Sequence, residues 1–311
     1  MSALWWNHPE YRLSGAGMPH NGFNFNIPEV RDHYLALVRE LLERYDADGI
    51  ELDWMRFPWY FKPGEEEEGC RKLTQFMREC RQLTDQAAVR HGHPVGIAVR
   101  IPAVPDFALG LGMDGVTWAR EGLVDILILA SVWRPSDTDQ PIEEWRRRIG
   151  SAKRPFILAA CTDLWIQGTP GGLLMMNDIE SMRGFTAAML DRGADQIYLF
   201  NHFHHGTFYR TYELPDGRKV VKNDYHDLLS QAAQLSTVID KPRRHVVTWH
   251  DPAPPGAQNP KPLPAVVTEQ RSAAFRIYIG PRPVGGHVVI RVGLDSRPGY
   301  EAARFITRPR L

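Results

Sequence analysis

At 311 residues with 43% hydrophobic side chains, the chain is long enough to bury a sizeable core. Lys plus Arg and Asp plus Glu stand at 37 each, so no net field draws the protein to nucleic acid or to an anionic membrane. Three cysteines (Cys70, Cys80 and Cys161) cannot all pair and lack metal-ligand spacing, which excludes a disulfide framework and predicts free thiols. No apolar run approaches the length of a bilayer span, and no signal-peptide pattern follows Met1.

Residues 1–26 are rich in Trp, His, Asn, Gly and Pro and read as a long irregular loop. Pro28 and Glu29 open a helix that carries Tyr34, Leu37, Val38, Leu41 and Leu42 to about Tyr45. A strand at 48–55 follows directly. After Pro63-Gly64 a second helix runs to about Arg90, with Leu73, Phe76, Met77, Cys80, Leu83 and Ala87 on its buried face. Strands are then expected at Val95 to Ile101, Val124 to Ala130, Pro155 to Cys161 and Gln196 to Asn201. The helices between them lie near Val116 to Glu121, Pro141 to Ile149 and Asp178 to Leu190.

Strand and helix thus alternate five times at the spacing of βαβ crossovers, and the strands are apolar enough to be covered on both faces. Polar residues recur at the C-terminal strand ends (Asp53, Arg100, Ser131, Asp163 and Asn201), and no Gly-rich phosphate loop follows any strand. These features predict a parallel α/β fold of the (β/α)8 TIM-barrel type over residues 1–241. Only five of its eight strands are recognisable, so the barrel is read as N-terminally truncated. From about Pro242 the composition changes to a Pro-rich linker, 242–264. Alternating segments such as Phe275-Ile277-Ile279 and Val288-Ile290-Val292 then predict a small β-sandwich-like module at 265–311.

The most informative stretch is Asp48-Gly-Ile-Glu-Leu-Asp-Trp-Met-Arg-Phe-Pro58. Side chains alternate along a strand, so Gly49, Glu51, Asp53 and Met55 share one face and Asp48, Ile50, Leu52 and Trp54 the other. The second face suits helices packed outside the sheet. The first would look into the barrel and place two carboxylates near the C-terminal strand end, where barrel enzymes carry their active sites.

This stretch resembles the Asp-Gly-x-Asp-x-Asp-x-Glu strand of family-18 chitinases, with Met55 where their catalytic Glu stands. It is closer to the family-10-like glycosyl hydrolases, whose Asp-Gly-Ile-x-Leu-Asp-x-x-Arg-[Phe/Tyr]-Pro pattern is met by Asp48, Gly49, Ile50, Leu52, Asp53, Arg56, Phe57 and Pro58. The resemblance continues through His8 to Arg12, Asn24 to Arg31, Arg100 to Pro102, Trp118 to Asp125 and Ala194 to Asn201. It implies a barrel whose first strands lie in a longer N-terminal portion, often behind a secretion signal. It also implies carbohydrate as the partner; from the residues themselves no cofactor or metal is expected.

Most glycosidases use two carboxyl groups across the scissile bond. Asp53 is the first candidate, its structural alternative being to anchor Arg100 or Arg56. Asp163 is the second, the alternative being an Asx turn or helix cap before Leu164. Glu51, one layer deeper, is expected to be a buried partner of Arg100, and Asp106 to sit in a solvated loop within reach of the site. Asn201 is placed to bond a sugar hydroxyl or to cap its strand. His202 heads a group with His204 and His205 that reads as structural or sugar-contacting. Trp133 and Trp165 offer flat faces for a pyranose ring. The competing functional classes are a non-catalytic carbohydrate-binding protein and an inactive fragment of a glycosidase-like barrel.

Overall fold

The computed structural model describes residues 2–13, 22–55, 57–131, 137–167, 174–203, 209–246 and 248. Arg56, Trp133, His204, His205, most of the expected linker and the β-rich module at 265–311 lie outside them. In chain order the elements are helix α1 (Ala3–Asn7), a 3-10 turn (Pro9–Tyr11), α2 (Pro28–Arg44), β1 (Gly49–Asp53), α3 (Glu66–His91) and β2 (Gly96–Pro102). They continue with α4 (Pro105–Gly110), α5 (Gly115–Arg120), β3 (Ile126–Ala130), α6 (Ile142–Ile149) and β4 (Ile157–Asp163). A short hairpin, β5 (Trp165–Gln167) and β6 (Leu174–Met176), precedes α7 (Ile179–Asp191) and β7 (Gln196–Phe200). A second hairpin, β8 (Tyr209–Glu213) and β9 (Lys219–Asn223), leads to α8 (Tyr225–Gln231) and α9 (Leu235–Val238).

The five expected strands form one parallel sheet in the order β1-β2-β3-β4-β7, the order of the chain. The eight-strand closure that the alternation predicts is not made by the described residues, and β1 and β7 are the edges of the sheet. The opening segment, expected to be irregular, instead contains a helical turn in which the Ser2 hydroxyl accepts from the Trp5 amide. An isolated bridge pairs Arg12 with Phe23.

Alternation assigns the two faces of the sheet. Val99, Ile101, Leu127, Leu129, Leu158 and Ala160 join Leu73, Phe76, Met77, Trp118, Trp145 and Met189 of the helices in the main core. Trp54 belongs there too, buried among Phe25, Tyr60 and Phe76 as its parity predicts. The buried indoles of Trp118 and Trp145 donate to the Thr74 hydroxyl at 3.0 Å and the Ala103 carbonyl at 2.7 Å. The other face carries Met55, Ile128, Ala130, Ala159 and Cys161, with Tyr198 and Phe200 packed on them.

That second face is concave. In a flat sheet four interstrand spacings would hold β1 and β7 about 19 Å apart, more than a Tyr and a Glu side chain can span. Yet the Tyr198 hydroxyl of β7 donates to the Glu51 carboxylate of β1 at 2.9 Å. The sheet therefore curls until its edges communicate through side chains, as opposed strands do across an eight-stranded barrel whose interior is just wide enough for side chains to fill.

The N-terminal ends of the strands share a repeated device. Asp125, just before β3, accepts from the Ile97 amide at 2.7 Å and from the Arg81 guanidinium at 2.5 Å. Asp195, just before β7, accepts from the Leu158 amide at 2.7 Å and from Arg146 at 2.5 Å. Each Asp thus pins the neighbouring strand and a helix Arg together. At Gly49 the close approach of β1 and β2 requires glycine, because a Cβ there would lie 2.7 Å from the Gly96 carbonyl oxygen.

Candidate active site

Parallel register places Asp53 beside Arg100 on the concave face, at the C-terminal ends of β1 and β2. The Arg100 Nε donates to Asp53 Oδ1 at 2.9 Å; the Arg side chain is only 3% exposed and the Asp side chain 39%. The same Oδ1 accepts from the Met55 amide at 2.9 Å, so the carboxylate is fixed through one oxygen. Arg100 also lies flat over the Phe200 ring, 3.6 Å from its centroid. A buried guanidinium is thereby held by an anion on one side and an aromatic face on the other.

Asp163 ends β4 and repeats the pattern. Its Oδ1 accepts from the Trp165 amide at 3.0 Å, which is the Asx turn expected as its structural role. Its Oδ2 accepts from the Asn201 side-chain amide at 3.2 Å. Asn201, just past β7, has φ of 58° and is the one non-glycine residue with positive φ among the described residues. Burial raises the Asp163 pKa above the ordinary carboxylate value; the Trp165 amide, the Asn201 amide and the Arg100 charge offset only part of that shift.

Cys161, one layer below Asp163, is fully enclosed, and burial pushes its thiol up to about 12 despite the neighbouring Arg100. It is a packed thiol rather than a nucleophile. Tyr198 and Tyr60 titrate well above a free phenol, chiefly through burial, with Glu51 adding to the effect on Tyr198 and Asp53 to that on Tyr60. Both remain protonated at neutral pH.

Several expected roles change. Glu51 is not the partner of Arg100; it is exposed on the concave face and takes the Tyr198 hydroxyl, because the register gives Arg100 to Asp53. Asp106 is not in a loop near the site. Pro105 starts α4, Asp106 lies in its first turn, and its carboxylate pairs with Arg148 of α6 at 2.5 and 3.0 Å on the helix side. Trp165 is partly buried against Leu164, Met182, Leu228 and Ala232 rather than standing clear as a platform. His202 is buried, its Nδ1 2.9 Å from the Phe200 carbonyl oxygen. The structure thus unites Asp53, Arg100, Asp163 and Asn201, adds Glu51 at the floor, and leaves Asp106 apart. Tyr198 and Phe200 were missed, although period-two counting along Gln196 to Phe200 puts both on the inner face.

No protein-family model matches the chain, and no curated protein matches it. Among solved structures it is similar to the alpha-L-fucosidase isoenzyme 2 from Paenibacillus thiaminolyticus, with a TM-score of 0.40 and 18% identity over 64% of this chain and 32% of that one. It is also similar to a glycoside hydrolase family 18 N-acetylglucosaminidase from Paenibacillus barengoltzii, with a TM-score of 0.36 and 12% identity over 64% of this chain and 63% of that one. For the chitinase ChiA74 from Bacillus thuringiensis the TM-score is 0.33 and the identity 11%, over 64% and 37% of the two chains. The chain spans less than two thirds of the length of each.

Proposed function

We propose that the protein is a glycoside hydrolase that cleaves a poly- or oligosaccharide with Asp163 as general acid and Asp53 as its anionic partner. The observation that carries this reading is the contrast between two carboxyl groups at the ends of β1 and β4. Asp53 is bonded to a buried guanidinium, whereas burial of Asp163 favours its neutral form. An acid whose burial favours its neutral form can give up a proton, and a carboxylate bonded to a guanidinium can serve as base or nucleophile. In the reaction, the proton of Asp163 passes to the glycosidic oxygen as the bond to the anomeric carbon breaks. The Asp53 carboxylate stabilises the positive charge that develops there or attacks it, and water then adds its oxygen to the anomeric carbon and returns a proton to Asp163. The resemblance of the strand motif to the family-10-like glycosyl hydrolases supports the same reading. Chemistry resting on a Glu at the Met55 position is not available, since that side chain is apolar and fully buried.

The test is release of reducing ends from a panel of neutral, amino and acidic polysaccharides. Asp53→Asn and Asp163→Asn should each lower turnover by about 10²- to 10⁴-fold while glycan binding persists. Binding without turnover in the wild type, unchanged in both variants, would instead identify a carbohydrate-binding protein.

A further inference from the structure

The Asp163 carboxyl has two differently held oxygens. Oδ1 is tied to the Trp165 backbone amide two residues on, a donor that cannot turn away. Oδ2 meets the side-chain amide of Asn201, which arrives from the end of the neighbouring strand. The junction between those strands is fixed by the Leu164 amide donating to the Phe200 carbonyl at 3.2 Å, and the turn after β7 by the Phe203 amide donating to the Asn201 carbonyl at 3.0 Å. Asn201 itself sits at φ of 58°, a conformation that glycine adopts freely and that Asn tolerates better than most residues. A chain that needed only this turn would be served by glycine. The residue present accepts the conformation and carries an amide to the acid.

We propose that Asn201 is a positioning residue for Asp163, its amide holding Oδ2 in place and stabilising the carboxylate that remains once the proton has been given up. The inference rests on the assignment of Asp163 as general acid. An amide N–H that donates to Oδ2 favours the charged form of the acid. When the proton leaves for the glycosidic oxygen, the amide stabilises the carboxylate left behind.

The experiment is an NMR titration of the Asp163 carboxyl carbon in the full chain and in Asn201→Gly, with thermal unfolding recorded for both. Glycine keeps the backbone conformation and deletes only the amide. Loss of a donor to the charged form should raise the Asp163 pKa by about one unit, since hydrogen bonds to charged groups are worth on the order of that much. Thermal stability should hold or rise as the strain is removed. An Asp163 titration that does not move, or a variant that loses stability with no change in titration, would overturn the proposal and leave Asn201 a turn residue. The carboxyl titration does not depend on turnover. Failure of Asp163→Asn to lower hydrolysis would remove the catalytic assignment without touching the measured coupling. Where hydrolysis is observed, the alkaline limb of the kcat profile should shift upward in parallel.

Discussion

The Tyr198 hydroxyl lies 2.9 and 3.2 Å from the two carboxylate oxygens of Glu51, so the first and last strands of the sheet are joined by a single phenol. Glu51 is exposed, and removing its donor leaves the carboxylate to water rather than unsatisfied. Tyr198→Phe should therefore cost only about 0.5–1.5 kcal/mol in urea unfolding. A larger loss, with a changed denaturant slope, would show that the bond sustains the curl of the whole sheet.

Asp163 predicts a dependence of stability on pH. Its folded pKa is raised above the unfolded value, so its contribution is fully present below the unfolded pKa and is lost as pH rises through the folded one. Asp163→Asn should remove this loss. The variant is expected to unfold at a higher temperature than wild type at pH 7, with the difference disappearing in acid. A variant less stable at both pH values would mean that the carboxylate is a net structural asset.

The two Asp-Arg clamps differ in burial, and burial decides their worth. Arg81 is 8% exposed and Asp125 36%, whereas Arg146 and Asp195 are 34% and 43% exposed. A double-mutant cycle on Arg81 and Asp125 should give a coupling of about 1–3 kcal/mol. The same cycle on Arg146 and Asp195 should stay under about 1 kcal/mol, as for other solvated pairs. Equal couplings would indicate that geometry rather than burial sets the strength.

Thiol labelling checks the concave floor. Burial pushes Cys80 and Cys161 each up to about 12, and Cys70, half-buried, is raised as well. In the native protein at pH 8, Cys70 should react first with a thiol reagent, while the other two wait for unfolding. Labelling of Cys161 as fast as Cys70 would show that the layer beneath Asp163 is open to solvent.

The parallel sheet was legible because its strands are short apolar runs closed by polar residues or proline, and its helices carry a clear three-to-four spacing. The site was legible where parity suffices: Asp53 and Trp54 face as the alternation of 48–55 requires. It failed where the answer depends on a neighbour's register. Glu51 and Asp53 have the same parity, and only the pairing of Asp53 with Arg100 decides between them. Asp106 failed for a local reason, since the solvated loop expected around it is a helix that Pro105 opens. The β8–β9 hairpin did have a signal, Asp216-Gly217 with Gly217 at φ of 81°, between two runs of strand-forming residues.

The clamps of Asp125 and Asp195 and the acids Asp53 and Asp163 occupy opposite ends of the same strands. Along β4, Leu158 and Asp163 are separated by about 16 Å at the rise of an extended chain, well past the roughly 7–10 Å over which substitutions couple. Changes at one end should therefore combine with changes at the other almost as independent choices. Substitutions beside Asp53 and Asp163 should leave the anchoring that keeps the sheet folded untouched.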